Sequence, residues 1–546
     1  MSLEEQFYRR TDEMLHRLLE MNPGAATQLG EHRWDDRLGK RSAEALAWEH
    51  REMLAMAAEL RAIDADCLGL GAQIDLKLVN GLFGTFLRDY EQVESHLRNP
   101  VVYLDEAVGG IVTLIMVEFA PLADRLRSAL GRVREVPRVL AEGQANLVPE
   151  RVPAVWAEVA FEQAQGAGGL FVGLLPALAA QAAPELQDDL TQVGQAATAA
   201  VGAFAAFLRD QVLPVAAGDF AAGRQGFDDR LREEHMVDYD ADSLLATGWE
   251  LFHQTKAQME ALAAEIDPGR TAKEILAEAR GDHPTAEGLL DAYRQEMAAI
   301  RQYVVDHDIA SIPEGEVLRI IETPTYLQPI IPFAAYSPPG ILEEKQEGLF
   351  LVTPVDPDLP SEEKEERLRS HSWSKLPLTA LHEAYPGHHL QLVWANRQPR
   401  VARRLGSFLA TLFIEGWAFY CEELLEQMGY IARPIQRLGR LSDQLWRAGR
   451  IILDVSLHTR GMGVDEAVNF LVDECGLQRP GAEAEVRRYT LTPTQPQAYL
   501  MGKLAILGLV ADYRRAHPDA TLRQVHDAIL SCGSLTPRLM RRQLGL

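Results

Sequence analysis

Residues His382-Glu383-Ala384-Tyr385-Pro386-Gly387-His388-His389 combine side chains that hold a divalent metal with one that moves a proton. In the pattern His-Glu-x-x-His, both imidazoles share one helix face and the glutamate turns toward a water on the metal. Here Pro386 and Gly387 are inserted before the second histidine. On an ideal helix at ~100° per residue, His382 and His388 are roughly 240° apart and point away from each other. His389 returns to the right face but lies about 10 Å along the axis. A metal pincer therefore requires a deformed helix. Pro386 removes an N–H and clashes with the carbonyl of residue 382, and Gly387 opens backbone angles closed to other residues, so the pair supplies a bulge or kink. His388 is then the second ligand, with His389 as the alternative. Without the deformation, the segment reads as a helix ending at Tyr385 followed by two surface histidines.

The third ligand comes from Glu415, an acid among Leu409, Leu412, Phe413, Ile414, Trp417 and Phe419 in an apolar helical stretch near 401–428. An acid there is costly unless paired or metal-bound. Two His, one Glu and a water form a catalytic zinc set. The expected cofactor is thus one Zn²⁺ per chain on His382, His388 and Glu415, with Glu383 as general base. The same ligands also accept manganese or cobalt. The competing role for Glu415 is an ion pair with Arg403 or Arg404. Glu422, two turns further on the same face, is placed to orient a histidine ligand.

Amide hydrolysis also needs a donor for the oxyanion, and Tyr499 and His458 are the candidates. His458 follows Asp454 by one turn, so Asp454 can fix its tautomer; the alternative is a helix-face ion pair of Arg450, Asp454 and His458. Arg450 and Arg488 offer a fork for a substrate carboxylate, as in a carboxypeptidase or dipeptidase, although each alone reads equally as a structural arginine. Cys421, beside the proposed site, has no histidine pattern for thiol chemistry and reads as a small buried residue.

His-Glu-x-x-Pro-Gly-His followed by Glu415-Gly416-Trp417-Ala418-Phe419-Tyr420-Cys421-Glu422 resembles the bacterial family known as domain of unknown function 885, which is grouped with the zincin, gluzincin-like metallopeptidases. The likeness continues through Arg450-x-x-x-Asp454-x-x-x-His458, through Glu485-x-x-Arg488-Tyr489, and through Pro493, Gln495, Tyr499 and Gly502. These matches span about residues 380–505, and the extended segment Thr325–Pro357 is compatible with it. The resemblance implies a mostly helical zincin fold with a catalytic cleft. It implies peptidase activity through the clan rather than through the family itself.

At 546 residues the chain exceeds one ordinary core, so two lobes are expected. Helical periodicity marks segments near 3–21, 42–64, 74–97, 119–147, 151–180 and 186–212, and Gly218, Gly223 and Gly226 mark a break. The expected division is a helical lobe over 1–220 and a helical catalytic lobe over 221–546. Between Ile309 and Pro360 the texture changes, with prolines at 313, 324, 329, 332, 338 and 339 and β-branched runs. A small β-sheet or hairpin is expected at about 320–357 beside the metal helix, with Gly348–Val355 as a strand. In zincins such a strand edge holds an extended substrate by main-chain bonds; the alternative is a structural hairpin. From Leu378 the chain is helical again. The fold class is therefore mostly α, a two-lobed zincin-like fold with a small β element.

A net charge of −25 argues against a nucleic-acid partner. Cys67, Cys421, Cys475 and Cys532 are scattered and make neither a disulfide framework nor a thiolate zinc site. No apolar run reaches 18 residues and the start of the chain is acidic, so no membrane partner and a cytoplasmic location are expected. The leading functional expectation is a zinc metallopeptidase acting on short peptides. The alternatives are a metal-dependent hydrolase of non-peptide amides or esters, and a non-catalytic helical binding or scaffold protein with a structural metal. A structural zinc closes its fourth position with protein, and a scaffold has no use for Glu383.

Overall fold

The computed structural model describes residues 2–324, 327–328, 331, 333–356 and 358–546. Thr325, Pro329, Pro332 and Pro357 of the extended segment lie outside the described residues. The chain is mostly helical, with one three-stranded sheet among the described residues. It forms two compact units, Met1–Phe220 with Gly340–Glu344, and Ala221–Pro339 with Lys345–Leu546. A single cut at 220/221 assigns Gly340–Glu344 to the second unit, but these residues belong with the first. There Leu342 N–H donates to the Leu29 carbonyl at 2.8 Å, and Glu343 Oε1 lies 2.9 Å from His32 Nε2.

In the first unit, the helix Leu3–Met21 starts on a capping box in which Ser2 and Glu5 satisfy each other's backbone N–H groups. Its Phe7, Met14 and Leu18 face inward at helical spacing. The helices Leu122–Asn146 and Gln187–Phe207 pack against each other, and they bury Val133, Val136, Leu190 and Phe204. Arg132 is buried in this unit and reaches the Pro23 carbonyl at 3.1 Å and Thr27 Oγ1 at 2.5 Å. Those bonds tie the long helix to the N-terminal segment.

The second unit is built on two helix pairs. Ala241–Ile266 packs along Pro434–Thr459, and Thr411–Gln427 packs along Ala498–Ala516. The second pair is drawn close by glycines. A Cβ on Gly416 would lie 2.3 Å from the Gly502 carbonyl carbon, and one on Gly502 would lie 2.0 Å from the Leu412 carbonyl oxygen. No side chain fits between these backbones, and this approach places Glu415 and Tyr499 on the same cavity.

The sheet contains β1 (Val317–Glu322), β2 (Ala334–Ser337) and β3 (Glu347–Val352) in the order β1-β3-β2. β1 runs parallel to β3 with Val317 opposite Glu347, and β2 runs antiparallel with Ala334 opposite Val352. The strand read at Gly348–Val355 therefore ends at Val352 and is the central strand. Its two ladders are used by β1 and β2, which corrects the expectation that it offers an open edge to a peptide. Among the described residues, no helix is long and apolar enough to cross a membrane.

Candidate metal centre

The helix that carries the dyad, Leu376–Glu383, stops at Glu383, and a new helix, His388–Asn396, begins at the second histidine. The insertion thus produces a break between two helices rather than a bulge or kink in one. The rotation argument for a continuous helix does not apply, because the turn sets the relative position of the rings. Tyr385–Pro386 is a cis peptide. A Cβ on Gly387 would lie 1.9 Å from the His382 carbonyl oxygen and 2.4 Å from that of Leu381, so only glycine fits. Trp417 Nε1 donates to the Pro386 carbonyl at 2.7 Å, pinning the turn to the Glu415 helix.

This turn brings His382 and His388 together with Glu415, and one donor atom from each lies within 4.8 Å of the others. The two imidazole rings are 4.7 Å apart and nearly perpendicular. His382 Nδ1 donates to Glu422 Oε1 at 2.8 Å, which fixes the tautomer and leaves Nε2 as the free lone pair. His388 Nε2 lies 3.5 Å from Glu415 Oε2, while its buried Nδ1 has no hydrogen-bond partner. Burial alone would raise the Glu415 carboxyl, but the hydrogen bond and charge of His388 outweigh it and hold the carboxyl at about 2. Burial opposes charge on His388, yet Glu415 raises it above the ordinary imidazole value. The competing assignment of Glu415 to Arg403 or Arg404 is not what the fold makes: Glu415 pairs with His388. Two imidazoles and a carboxylate converging with an orphaned ring nitrogen fit the N/O donor set of a zinc site.

His389, the alternative ligand, faces elsewhere. Its Nε2 lies 2.7 Å from Glu316 Oε1 and its Nδ1 lies 3.0 Å from the Tyr336 hydroxyl on β2. Glu316 also accepts from the Tyr385 hydroxyl, so one buried carboxylate grips the turn on both sides of Pro386-Gly387. A Cβ on Gly348 would lie 2.6 Å from His389 Nδ1, so β3 packs directly on this ring. Glu316 was not visible as a functional residue in the sequence, because it stands alone in a loop with no motif around it.

The cluster lines a cavity of about 350 Å³ together with Glu383, Leu378, Thr379, Glu422, Asp443, Arg447, Arg450 and Tyr499. Tyr499 stacks under Arg450, whose guanidinium carbon is 4.5 Å from the ring centroid. Burial and the Glu415 charge raise the Tyr499 hydroxyl above its ordinary value, so it stays protonated as a donor. His458 does not reach the cavity. It is fully buried, accepts from Ala222 N–H at Nδ1 (3.3 Å) and donates from Nε2 to the Tyr489 carbonyl at 3.0 Å. That overturns its candidacy as oxyanion donor. Asp454 Oδ1 is 4.0 Å from His458 Nε2 and accepts Thr494 N–H at 3.0 Å. Thr494 has φ +69°, a left-handed conformation unusual for a β-branched residue. Asp454 therefore holds the turn that leads into the Tyr499 helix. Burial pushes its carboxyl up to about 8.

Arg488 is also not where the carboxylate fork required it, since it binds Glu485 Oε2 at 2.9 Å and Gln495 Oε1 at 2.8 Å. The residue that shares the cavity with Arg450 is Arg447. Its signal was present in the spacing: Asp443, Trp446, Arg447 and Arg450 follow i, i+3, i+4, i+7 on one helix face.

Two solved structures share the architecture. A candidate lipoprotein of unknown function from Shewanella oneidensis aligns with a TM-score of 0.81 and 24% identity, over 99% of each chain. A candidate lipoprotein from Colwellia psychrerythraea aligns with a TM-score of 0.80 and 17% identity, over 100% of this chain and 99% of its own. At these identities the likeness is one of fold. No curated protein matches the sequence. The chain belongs to the family described as bacterial protein of unknown function, DUF885, which matches residues 23–544.

Proposed function

We propose that this protein is a metal-dependent hydrolase, a zincin-class metallopeptidase that cleaves an amide bond of short peptides. The observation that carries the reading is the convergence of His382, His388 and Glu415 at the wall of a cavity that Glu383 also lines. His382, His388 and Glu415 would hold the metal, one per chain. Zn²⁺ bound there supplies Lewis acidity and water activation near neutral pH. Glu422 fixes the His382 ring through the 2.8 Å hydrogen bond. Glu316 keeps the Tyr385–His389 turn in place so that His388 faces Glu415. Glu383 serves as general base for the attacking water and returns the proton to the leaving amine. Tyr499, held neutral, donates a hydrogen bond to the developing oxyanion.

The test is turnover of a peptide pool by the zinc-loaded protein, by the same protein after chelation, and by Glu383→Gln. Turnover that is lost on chelation, restored by zinc and absent from Glu383→Gln supports the reading; turnover indifferent to the chelator or to Glu383→Gln refutes it. The sequence reading expects a cytoplasmic location. The lipoprotein description of the two structural relatives favours the cell envelope instead. Fractionation of the source cells decides between them.

A further inference from the structure

The helix Pro434–Thr459 presents Asp443, Trp446, Arg447 and Arg450 on one face, and three of the four line the metal cavity. Arg447 Nε and Nη1 and Arg450 Nη1 are buried and make no hydrogen bond. The two guanidiniums are held by the same pair of rings. Over Trp446 they lie at 4.6 Å and 4.2 Å, and over Tyr499 at 5.6 Å and 4.5 Å, for Arg447 and Arg450 respectively. Arg450 is fixed further by Nε to the Tyr489 hydroxyl at 2.9 Å and Nη2 to Glu485 at 2.8 Å.

The two carboxylates that pair with this face are each shared. Asp443 is shared by Lys375 and Arg447. Glu485 is shared by Arg450 and Arg488. Each of these two carboxylates therefore serves two cations. The other acids of the cavity wall are engaged by imidazoles, Glu415 with His388 and Glu422 with His382, apart from Glu383, the proposed base. An arginine cannot remove an unsatisfied N–H by losing a proton. Buried guanidinium N–H groups left without acceptors are costly, and an anion of matching planar shape satisfies two at once.

We propose that Arg447 and Arg450 form a receptor for a carboxylate of the substrate, so that the cavity takes peptides by a free C-terminal carboxylate next to the bond that is cut. The cleavage part of this statement rests on the hydrolase reading above; the carboxylate part does not. A cavity of about 350 Å³ is at the small end for ligand pockets and suits a short C-terminal stub rather than a long chain. Because the receptor and the metal cluster line one cavity, the bound carboxylate lies close to the reacting carbonyl, which defines an exopeptidase acting from the C-terminus or a dipeptidase.

The experiment measures equilibrium binding in the full-length Glu383→Gln protein, where turnover does not interfere, by the tryptophan fluorescence to which Trp446 contributes. The probes are a pool of N-acetylated dipeptides with free carboxylates and the matching pool of C-terminal amides. The acids bind roughly 10- to 100-fold more tightly than the amides. Arg447→Met on the same background brings acid binding down to the amide level, with far-UV circular dichroism and melting unchanged. Arg450→Lys, which keeps the charge but loses the fork, falls between the two. If Arg447→Met does not fold, the acid–amide ratio of the parent and of Arg450→Lys decides. Equal binding of the two pools, or discrimination that survives Arg447→Met, overturns the proposal. The titration is repeated after dialysis against a chelator. If the parent protein with Glu383 intact, supplemented with zinc, takes up no metal and shows no turnover while the titration still prefers acids, the receptor stands and the hydrolase reading falls; an active parent metalloprotein without the preference does the reverse.

Discussion

Arg41 in the first unit and Arg450 in the second are both largely buried guanidiniums, and their surroundings are opposites. Arg41 Nη2 donates to Glu106 at 2.5 Å, and its Nη1 lies 3.5 Å from Glu49. One cation serves two acids, and the surplus is absorbed inside the protein: burial, partly offset by Arg41 and reinforced by Glu106, pushes the Glu49 carboxyl up to about 7. Around Arg450 and Arg447 the surplus is one of donors, since Arg447 Nε and Nη1 and Arg450 Nη1 are buried without a hydrogen bond, and no proton can be shed to remove it. An acid-rich buried cluster can close on itself by holding a proton. An arginine-rich one stays open until an anion arrives. The first arrangement is closed, and the second, facing a cavity beside His382, His388 and Glu415, is the basis of the proposed carboxylate receptor.

The sharpest break between the two regions lies in chemistry. Glu383→Gln in the second unit is expected to lower turnover by about 10²- to 10⁴-fold while metal content stays the same; parallel loss of metal would mean that Glu383 holds the site together rather than moving protons. Next comes the contrast between two arginine replacements. Arg41→Met leaves Glu106 buried without its partner and is expected to destabilise the protein by about 3–5 kcal/mol in denaturant unfolding. Arg447→Met, whose Asp443 keeps Lys375 and which removes buried N–H groups that have no hydrogen bond, is expected to cost clearly less than Arg41→Met while removing preference for carboxylate ligands. Equal stability losses would erase the distinction between closed and open clusters.

A smaller effect is expected from Glu422→Gln. It weakens the acceptor of the His382 Nδ1–H bond and should reduce metal affinity by roughly 10- to 100-fold, read by competition with a chromogenic chelator. The smallest is a pH slope from Glu49. Its folded-state pKa of about 7 lies above the ordinary carboxyl value of 4.5, so the unfolded chain gives up the proton first. The stability this group contributes is present below about pH 4.5 and falls as pH rises through about 7. Thermal melting of Glu49→Gln should therefore fall less between pH 5 and about 7.5 than that of the parent; identical slopes would mean that Glu49 ionises normally.

The chemistry-bearing core of the second unit was legible because it sits in tight local patterns. His382, Glu383 and His388 share one short segment, and Glu415 and Glu422 stand out as acids in an apolar helix. Helical segments were legible for the same reason, since the 3.6-residue period is local. What depended on distant pairing was not. The central position of β3 is a matter of which strands flank it, and local alternation carries no information about neighbours. His458 and Arg488 share spacing patterns with functional residues, but their rings and guanidiniums are turned to the Tyr489 carbonyl, Glu485 and Gln495 by contacts made across the fold. Arg447 lay in plain view three residues before Arg450. Only the burial of its N–H groups against the cavity distinguishes it from an ordinary surface arginine. The cis turn at Pro386 replaced the continuous helix from which ring angles can be calculated.

The metal content of the purified, zinc-supplemented protein, measured beside His388→Ala and His389→Ala, addresses the central claim most directly. About one zinc per chain in the parent and in His389→Ala, with none in His388→Ala, is the expected result. A parent that takes up no metal, or a His388→Ala protein that keeps it, would contradict the assignment of His382, His388 and Glu415 as a metal centre.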